Sequence, residues 1–251
     1  MKAQQGALKL QGTHGNFTFV KTADGFLWKE KMQISKERLA TDEAFAPQRD
    51  QMAEFARAGK AVKLMRTAFK DQVKTAKDRR LTPRLQQQMV KVVKADYDPD
   101  HGRGKRTVEA GDLSLLAEFQ FNKSAHLNDV LSAEYTAAID RTTGELTLDL
   151  PEFESSKFAY PKRATNFRII LAGSEIDFAG GVFKSAATDS GLLPLIPGTN
   201  PPLSLSCALT AGTTLPIFLA VGIEFVEVVN GHKYPIIGGN YNSLCLVKVD
   251  V

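Results

Sequence analysis

The chain has 251 residues, of which 43% are hydrophobic and 24% are charged. This length suits one large domain or two modest ones, and the composition excludes a chain that is disordered throughout. The formal net charge of +4 hides an uneven distribution. Lys and Arg outnumber Asp and Glu by 5 to 2 in residues 1–35 and by 18 to 10 in residues 36–106. In residues 107–251 the balance is reversed, with 16 Asp and Glu against 9 Lys and Arg. A basic first part attracts polyanions, and the acidic second part offers it a protein partner.

Two adjacent β-prone runs near the N-terminus, NFTFVK and FLWKEK, flank the sequence TADG. The pair Asp24-Gly25 suits a turn with positive φ, so a hairpin is predicted over residues 16–31. A four-residue loop would pair Phe19 with Trp28, whereas a three-residue loop would scatter the rings over both faces. With the four-residue loop, the rings that share one face are candidate subunit-interface residues: Phe17, Phe19, Phe26 and Trp28.

Such an aromatic hairpin could stack nucleic-acid bases, belong to an ordinary core, or add to the sheet of a neighbouring subunit. Stacking needs rings that are exposed among cations. Strand alternation places Lys29 and Lys31 on the face opposite Trp28 and leaves only Lys21 beside the rings. This distribution favours burial of the rings, and we expect the covering surface to belong to another subunit rather than to the helices of the same chain.

Residues 35–96 show helical periodicity. Ser35 or Thr41 suits the start of a short helix, and Thr82 with Pro83 suits the N-cap and first turn of a later one, whose buried face would hold Leu85, Met89 and Val92. A longer helix is predicted from apolar residues at three- and four-residue spacing. This apolar stripe comprises Met52, Phe55, Gly59, Val62, Met65, Phe69 and Val73.

Cations lie mostly off this stripe and could form a positive surface for phosphate contacts. Glu54, Asp71 and Asp78 interrupt it, and the segment matches no known nucleic-acid recognition motif. Nucleic-acid binding is therefore the alternative rather than the preferred interpretation. The basic-surface candidates are Arg57, Lys60, Lys63, Lys74, Arg79, Arg80 and Arg84.

From about residue 113 the pattern changes to short strands separated by turn residues. Hairpins are predicted across Thr142–Gly144 and at Asn230-Gly231. Regular strands without intervening helices are typical of an antiparallel sandwich or barrel, and the sandwich is preferred. The predicted fold is therefore α+β, with an N-terminal arm and β-hairpin (1–34), a basic helical segment (35–112) and a C-terminal antiparallel β-sandwich (113–251).

Candidate chemistry is sparse. Asp96, Asp98 and Asp100 have the spacing of calcium ligands, but His101 and Thr107 stand where an EF-hand loop needs Gly and Glu, so a solvated acidic turn is expected. The basic loop GRGKR at 102–106 lacks the glycine spacing and the Ser or Thr of a P-loop. No nucleophile, base and orienting group can be nominated together, so we expect no enzymatic activity, no cofactor and no metal.

Four segments, in the order GNFTFVKTADGF, EFARAGKAVKLMRTAF, IDRTTGELTLDLPEF and GIEFVEVVNGHKYPIIGGNYNSLCLVKV, resemble a family of uncharacterised bacterial proteins of the Bacteroidota. The resemblance runs over most of the chain and implies no function or site residues.

These patterns predict a structural protein that assembles with itself into a filament, a tube or a shell-like particle. The rivals are a nucleic-acid-binding or packaging protein and an adhesin-like module that binds through its sandwich loops. The first residues lack the apolar segment of a secretory signal, and no apolar run is long enough to span a bilayer. We therefore expect synthesis in the cytoplasm and no membrane partner. The final location stays open, and release as an assembled particle is one alternative. Cys207 and Cys245 are expected to be reduced and buried rather than joined as a disulfide.

Overall fold

A computed structural model of the chain describes residues 2–6, 8–22, 25–30, 34–237 and 239–251. It divides into two compact units, Met1–Arg49 and Asp50–Val251. The predicted segment boundaries at residues 34 and 112 therefore do not coincide with the boundary between the compact units. The fold class is α+β, as predicted.

The first unit is built on a four-stranded antiparallel sheet with the strand order β1-β4-β3-β2. The predicted hairpin register is confirmed, because Phe19 pairs with Trp28 and Lys21 pairs with Phe26. Gly25 has a φ of +111°, while Asp24, the other predicted turn residue, lies outside the described residues. The strands are β1 (Lys2–Ala3), β2 (Gly12–His14), β3 (Phe17–Thr22) and β4 (Gly25–Glu30).

Short helix α1 (Lys36–Thr41) follows this sheet. Ser35 is its N-cap, and its hydroxyl accepts a hydrogen bond from the Arg38 main-chain N–H at 3.0 Å. Capping of this kind satisfies a donor that the first helical turn leaves free. Of the two predicted starting points, Ser35 is therefore confirmed.

The second unit contains a layer of three helices. Helix α2 (Ala46–Ala68) begins in the first unit, and α3 (Lys70–Ala76) follows it after Phe69. Helix α4 (Leu81–Lys94) buries Leu85, Met89 and Val92 as predicted. A single turn, α5 (Leu127–Val130), follows later.

Two predictions about these helices need correction. Val62 and Met65 of the predicted α2 stripe are buried, but Met52 and Phe55 are exposed by 54% and 59%, and the small residues Ala58 and Ala61 complete the buried face. Small side chains let a helix approach its neighbour closely, and a pattern read from large residues misses them. Helix α4 begins at Leu81, with Arg80 rather than Thr82 at the N-cap. Burial of the Leu81 side chain brings this residue into the first turn.

The remaining strands form two antiparallel sheets. The larger has the order β10-β8-β12-β14-β5, with β9 beside β8 and β13 beside β12, and the smaller has the order β11-β7-β6. The strands are β5 (Phe119–Gln120), β6 (Thr136–Asp140), β7 (Glu145–Leu150), β8 (Asn166–Asp177), β9 (Val182–Asp189), β10 (Leu193–Pro194), β11 (Leu203–Ala208), β12 (Ile217–Val229), β13 (His232–Pro235) and β14 (Ser243–Asp250).

Both predicted sandwich hairpins are confirmed. Strands β6 and β7 meet across Thr142–Gly144, and Val229 pairs with His232 across Asn230-Gly231. Asn230 and Gly231 have φ values of +52° and +79°, as a tight two-residue hairpin turn requires.

The central strands of the larger sheet, β8 and β12, are buried on both faces. Along β12, Phe218 and Ala220 pack into a core shared with the helices, whereas Ile217, Leu219 and Val221 pack into a core shared with the smaller sheet. This alternation follows from the two-residue period of a strand. The last strand contributes Leu244 and Leu246 to the helix side. The second unit is thus a sandwich of two sheets with a helical layer on its outer face.

Candidate functional site

The four predicted rings lie on one face of the first unit's sheet, as their strand register requires. We call this the ring face. Phe17 and Trp28 meet edge to face at a centroid distance of 5.3 Å, and the Lys21 ammonium lies 5.6 Å from the Phe26 ring centre.

Residues before the hairpin extend the ring face. Leu8 and Leu10 line a hollow of about 310 Å³ together with Phe17, Phe19 and Trp28. This contribution was missed from the sequence, because the polar, glycine-containing segment before residue 12 shows no strand period.

Cations on the ring face are more numerous than predicted. Lys2 pairs with Trp28 through β1, and its ammonium lies 5.7 Å from the Trp28 ring centre. Among the described lysines of the hairpin, Lys21 shares this face as predicted, and Lys2 adds a second cation from outside the hairpin, because pairing of β1 with β4 was not foreseen. Lys29 is on the opposite face, as expected, and Lys31 lies outside the described residues.

No described residue of the first unit is buried. Phe17 is exposed by 40%, and Phe19, Phe26 and Trp28 are half-buried. A small sheet normally gains its stability by covering one apolar face. The ring face therefore has the aromatic composition of a buried surface, although its side chains are only half-buried or exposed.

The seven basic-surface candidates separate into two groups. Arg57 and Arg84 are half-buried and bind main-chain carbonyl groups. Arg57 donates hydrogen bonds to the carbonyl oxygens of Arg106, at 2.8 Å, and Gly104. The other five side chains are exposed: Lys60, Lys63, Lys74, Arg79 and Arg80.

The basic loop at 102–106 is anchored to α2. The buried Glu54 carboxylate accepts a hydrogen bond from the Gly104 main-chain N–H at 3.0 Å, in addition to the contacts made by Arg57. Gly104 has a φ of +79°, and a Cβ there would lie 2.3 Å from Asp50 Oδ1. Of the two glycines in this loop, Gly104 is therefore required by the fold.

The acidic turn is likewise an internal anchor. The Asp96 side chain is fully buried and accepts hydrogen bonds from the main-chain N–H groups of Thr107 at 2.8 Å and Asp98 at 3.0 Å. His101 Nδ1 lies 2.7 Å from the same carboxylate. Burial acts to raise the pKa of Asp96, but the Thr107, Asp98 and His101 donors together hold it below its usual value. The solvated turn predicted here is wrong for Asp96.

Both cysteines are free. Burial raises the pKa of Cys207 to about 11, and burial together with the nearby Glu118 carboxylate raises that of Cys245 to about 12. The thiolate is the nucleophilic form, so neither residue is activated at neutral pH.

The part of the chain that the structure describes contains no cluster of three or more His, Cys, Asp or Glu side chains arranged for a metal ion. None of its helices combines the length and apolarity needed to cross a membrane. Comparison with family models, with curated proteins and with solved structures finds no match for this chain.

Proposed function

We propose that this protein is a structural protein that assembles with copies of itself, and that the ring face of one copy packs on a second copy. The observation that carries this proposal is the half-exposed aromatic face of a sheet in which no described residue is buried. Large aromatic side chains bury about 150–250 Å² each in cores and interfaces, so covering these rings supplies a substantial association energy.

The outer face of the smaller sheet is a suitable receiving surface. The strands that form it contain no Lys, Arg or His. Asp140, Glu145 and Asp149 are exposed on this face, and its other residues are small. These small residues are Thr136, Ala138, Thr147, Ser204, Ser206 and Ala208.

Charge complementarity favours this pairing. Lys2 and Lys21 border the rings and outnumber Glu30, which pairs with Phe17 at the edge of the ring face, whereas carboxylates border the small residues of the receiving face. The two surfaces are different parts of the chain, so their contact is heterologous and can propagate into an open polymer. A filament or a tube is the expected product.

The test is a matched pair of double variants. Phe17→Thr with Trp28→Thr removes the rings and keeps β-forming residues, and we expect the protein to become monomeric in light scattering and negative-stain microscopy. Val20→Thr with Leu27→Thr makes comparable changes on the opposite face of the same sheet, and this control should still assemble. A wild-type protein that stays a monodisperse monomer at all concentrations and salts would refute the proposal.

Nucleic-acid binding is the second candidate, because lysines border the exposed rings. Base stacking on such rings contributes about 1–3 kcal/mol per base and weakens steeply with salt. Under self-assembly we expect particles that resist nuclease and have the 260/280 nm absorbance ratio of protein alone. Particles that dissolve on nuclease treatment would favour this second candidate.

A further inference from the structure

A cleft of about 620 Å³ lies within the second unit, where the start of α4 meets the segment after β5 and the loop before β14. Among the described residues that line it are five Lys or Arg side chains and a single carboxylate, Asp78. This volume is in the range of small-molecule sites.

Asp78 does not neutralise the cleft, because its carboxylate is already occupied. It accepts hydrogen bonds from Arg84 Nη2 at 2.6 Å and from the main-chain N–H groups of Arg80 at 2.6 Å and Lys123 at 2.9 Å. Burial acts to raise the pKa of Asp78, but these three donors together lower it below its usual value, so the group is ionised at neutral pH.

Arg84 fixes the walls of the cleft to one another. Besides Asp78, its guanidinium donates to the carbonyl oxygens of Gln120 at 2.8 Å and Phe121 at 3.1 Å. Asn122 Nδ2 donates to the Gly239 carbonyl oxygen at 3.0 Å and thereby ties down the third wall. The scaffold is therefore preorganised before any ligand arrives.

Four cations of the lining remain available: Lys77, Arg79, Arg80 and Lys123. All four are exposed, and none forms a side-chain hydrogen bond or an ion pair with any residue that the structure describes. Since Arg84 and Asp78 offset each other, the cleft carries four uncompensated positive charges. Such a concentration of charge in a concave site attracts anions strongly.

The rest of the lining indicates which anion fits. No aromatic or aliphatic side chain occurs among the described lining residues, whereas Ser124 and Asn240 supply neutral hydrogen-bonding groups. Nucleobases need a ring or an apolar surface to stack on. Phosphate groups need forked guanidinium donors and point charges, which Arg79, Arg80, Lys77 and Lys123 provide.

We propose that this cleft binds a compact ligand that carries two or three linked phosphate groups. Such a ligand brings negative charge comparable to the four free cations and needs no stacking surface. A nucleic-acid backbone offers the same phosphate chemistry in extended form, but the free cations here are gathered in one concave site bordered by three segments of the chain, which suits a compact ligand.

Inorganic tripolyphosphate is the probe for a calorimetric titration of the full-length protein, with orthophosphate and a thymidine oligonucleotide as comparisons. We expect one tripolyphosphate per chain, and binding at least ~10-fold weaker for orthophosphate, because each lost charge-assisted contact costs about this factor. Arg79→Gln with Arg80→Gln should weaken tripolyphosphate binding ~10-fold or more. The control, Lys60→Gln with Lys63→Gln, removes the same charge from α2 and should change the affinity less than ~2-fold.

Three outcomes would overturn the proposal. Absence of tripolyphosphate binding would show that the cleft is no site. An equal loss in the α2 control would show a diffuse positive field. Binding of the oligonucleotide without binding of tripolyphosphate would show that the surface takes an extended backbone instead.

Discussion

At the scale of single residues, the charged groups of the basic segment have two different roles: some form internal hydrogen bonds, and others are exposed to solvent. Glu54, Arg57 and Asp96 form hydrogen bonds that hold the turn-rich loop between α4 and β5, whereas Lys60 and Lys63 on α2 are exposed. A charged residue that is bonded to main-chain groups stabilises the fold and contributes little to recognition.

Asp96 provides the residue-scale prediction. Asp96→Asn replaces an ionised acceptor of three donors by a neutral amide, and we expect it to lower the free energy of unfolding by about 1–3 kcal/mol at pH 7, measured by urea denaturation. The exposed Asp100→Asn is the control and should have almost no effect.

The pH dependence follows from the direction of the shift. The pKa of Asp96 is lowered in the folded state from an ordinary value of 3.8. Its contribution is therefore fully present above about pH 4 and is lost as the pH falls through the lower folded value. The stability difference between wild type and Asp96→Asn should shrink as the pH falls below 4, and a difference that grows there would contradict this assignment.

At the scale of elements, one buried carboxylate links three of them. Glu224 on β12 accepts hydrogen bonds from Arg168 on β8, with Nη2 at 2.6 Å, and from the Thr75 hydroxyl on α3. The Glu224 side chain is exposed by only 6%, so its charge depends on these partners.

Removal of Arg168 should leave Glu224 buried and unpaired. We expect Arg168→Met to cost about 3 kcal/mol, the low end of the range for a broken buried pair, because the Arg168 side chain is itself 39% exposed. The second partner of Arg168, Asp189, is 40% exposed, and Asp189→Asn should cost less than about 1 kcal/mol. Equal losses for the two variants in thermal denaturation would mean that Glu224 is not the group that needs Arg168.

The elements also show how far the sequence could predict this structure. Local signals were sufficient for the Ser35 cap, the hairpin register of Phe19 and Trp28, and the Asn230-Gly231 turn, because each depends on a few neighbouring residues. The buried face of α2 was predicted only in part, since the sheet it packs against determines which side is covered.

Most features of the sites that could not be predicted depend on contacts between residues that are far apart in the sequence. The sequence alone predicts Arg57 and Arg84 as surface cations. Their side chains bind carbonyl groups that lie 36 to 49 residues away in the sequence and come close only in the folded chain. The basic cleft joins residues near 80, 123 and 240, and no local pattern brings these together. The strand that places Lys2 beside Trp28 has only two residues.

At the scale of the whole molecule, the chain combines a small sheet unit with a larger layered unit, and its charge is divided between a basic first part and an acidic second part. In the assembly proposed above, these opposite charges meet between copies. Exposed charges of this kind mainly determine association rates and are screened beyond about 10 Å at 0.1 M salt.

A charge swap tests this arrangement. Glu145→Lys with Asp149→Lys should slow assembly about 10-fold or more at low salt, because like charges then face each other. Lys2→Glu with Lys21→Glu should have a similar effect in its own right. A mixture of the two variants should assemble faster than either variant alone, as time-resolved light scattering can measure. No recovery in the mixture would place the contact elsewhere.

The last strand has a consequence for the order in which the chain can fold during synthesis. Helices α2 to α4 pack against Leu244 and Leu246 of β14, which follow the end of α4 by about 150 residues. At typical translation rates this interval lasts roughly 8–30 s. For most of it, the ring face and the unsupported helices are outside the ribosome, while the sheet that covers the helices is incomplete. A nascent chain must therefore avoid premature association for most of its translation, which makes it a natural client for a holding chaperone.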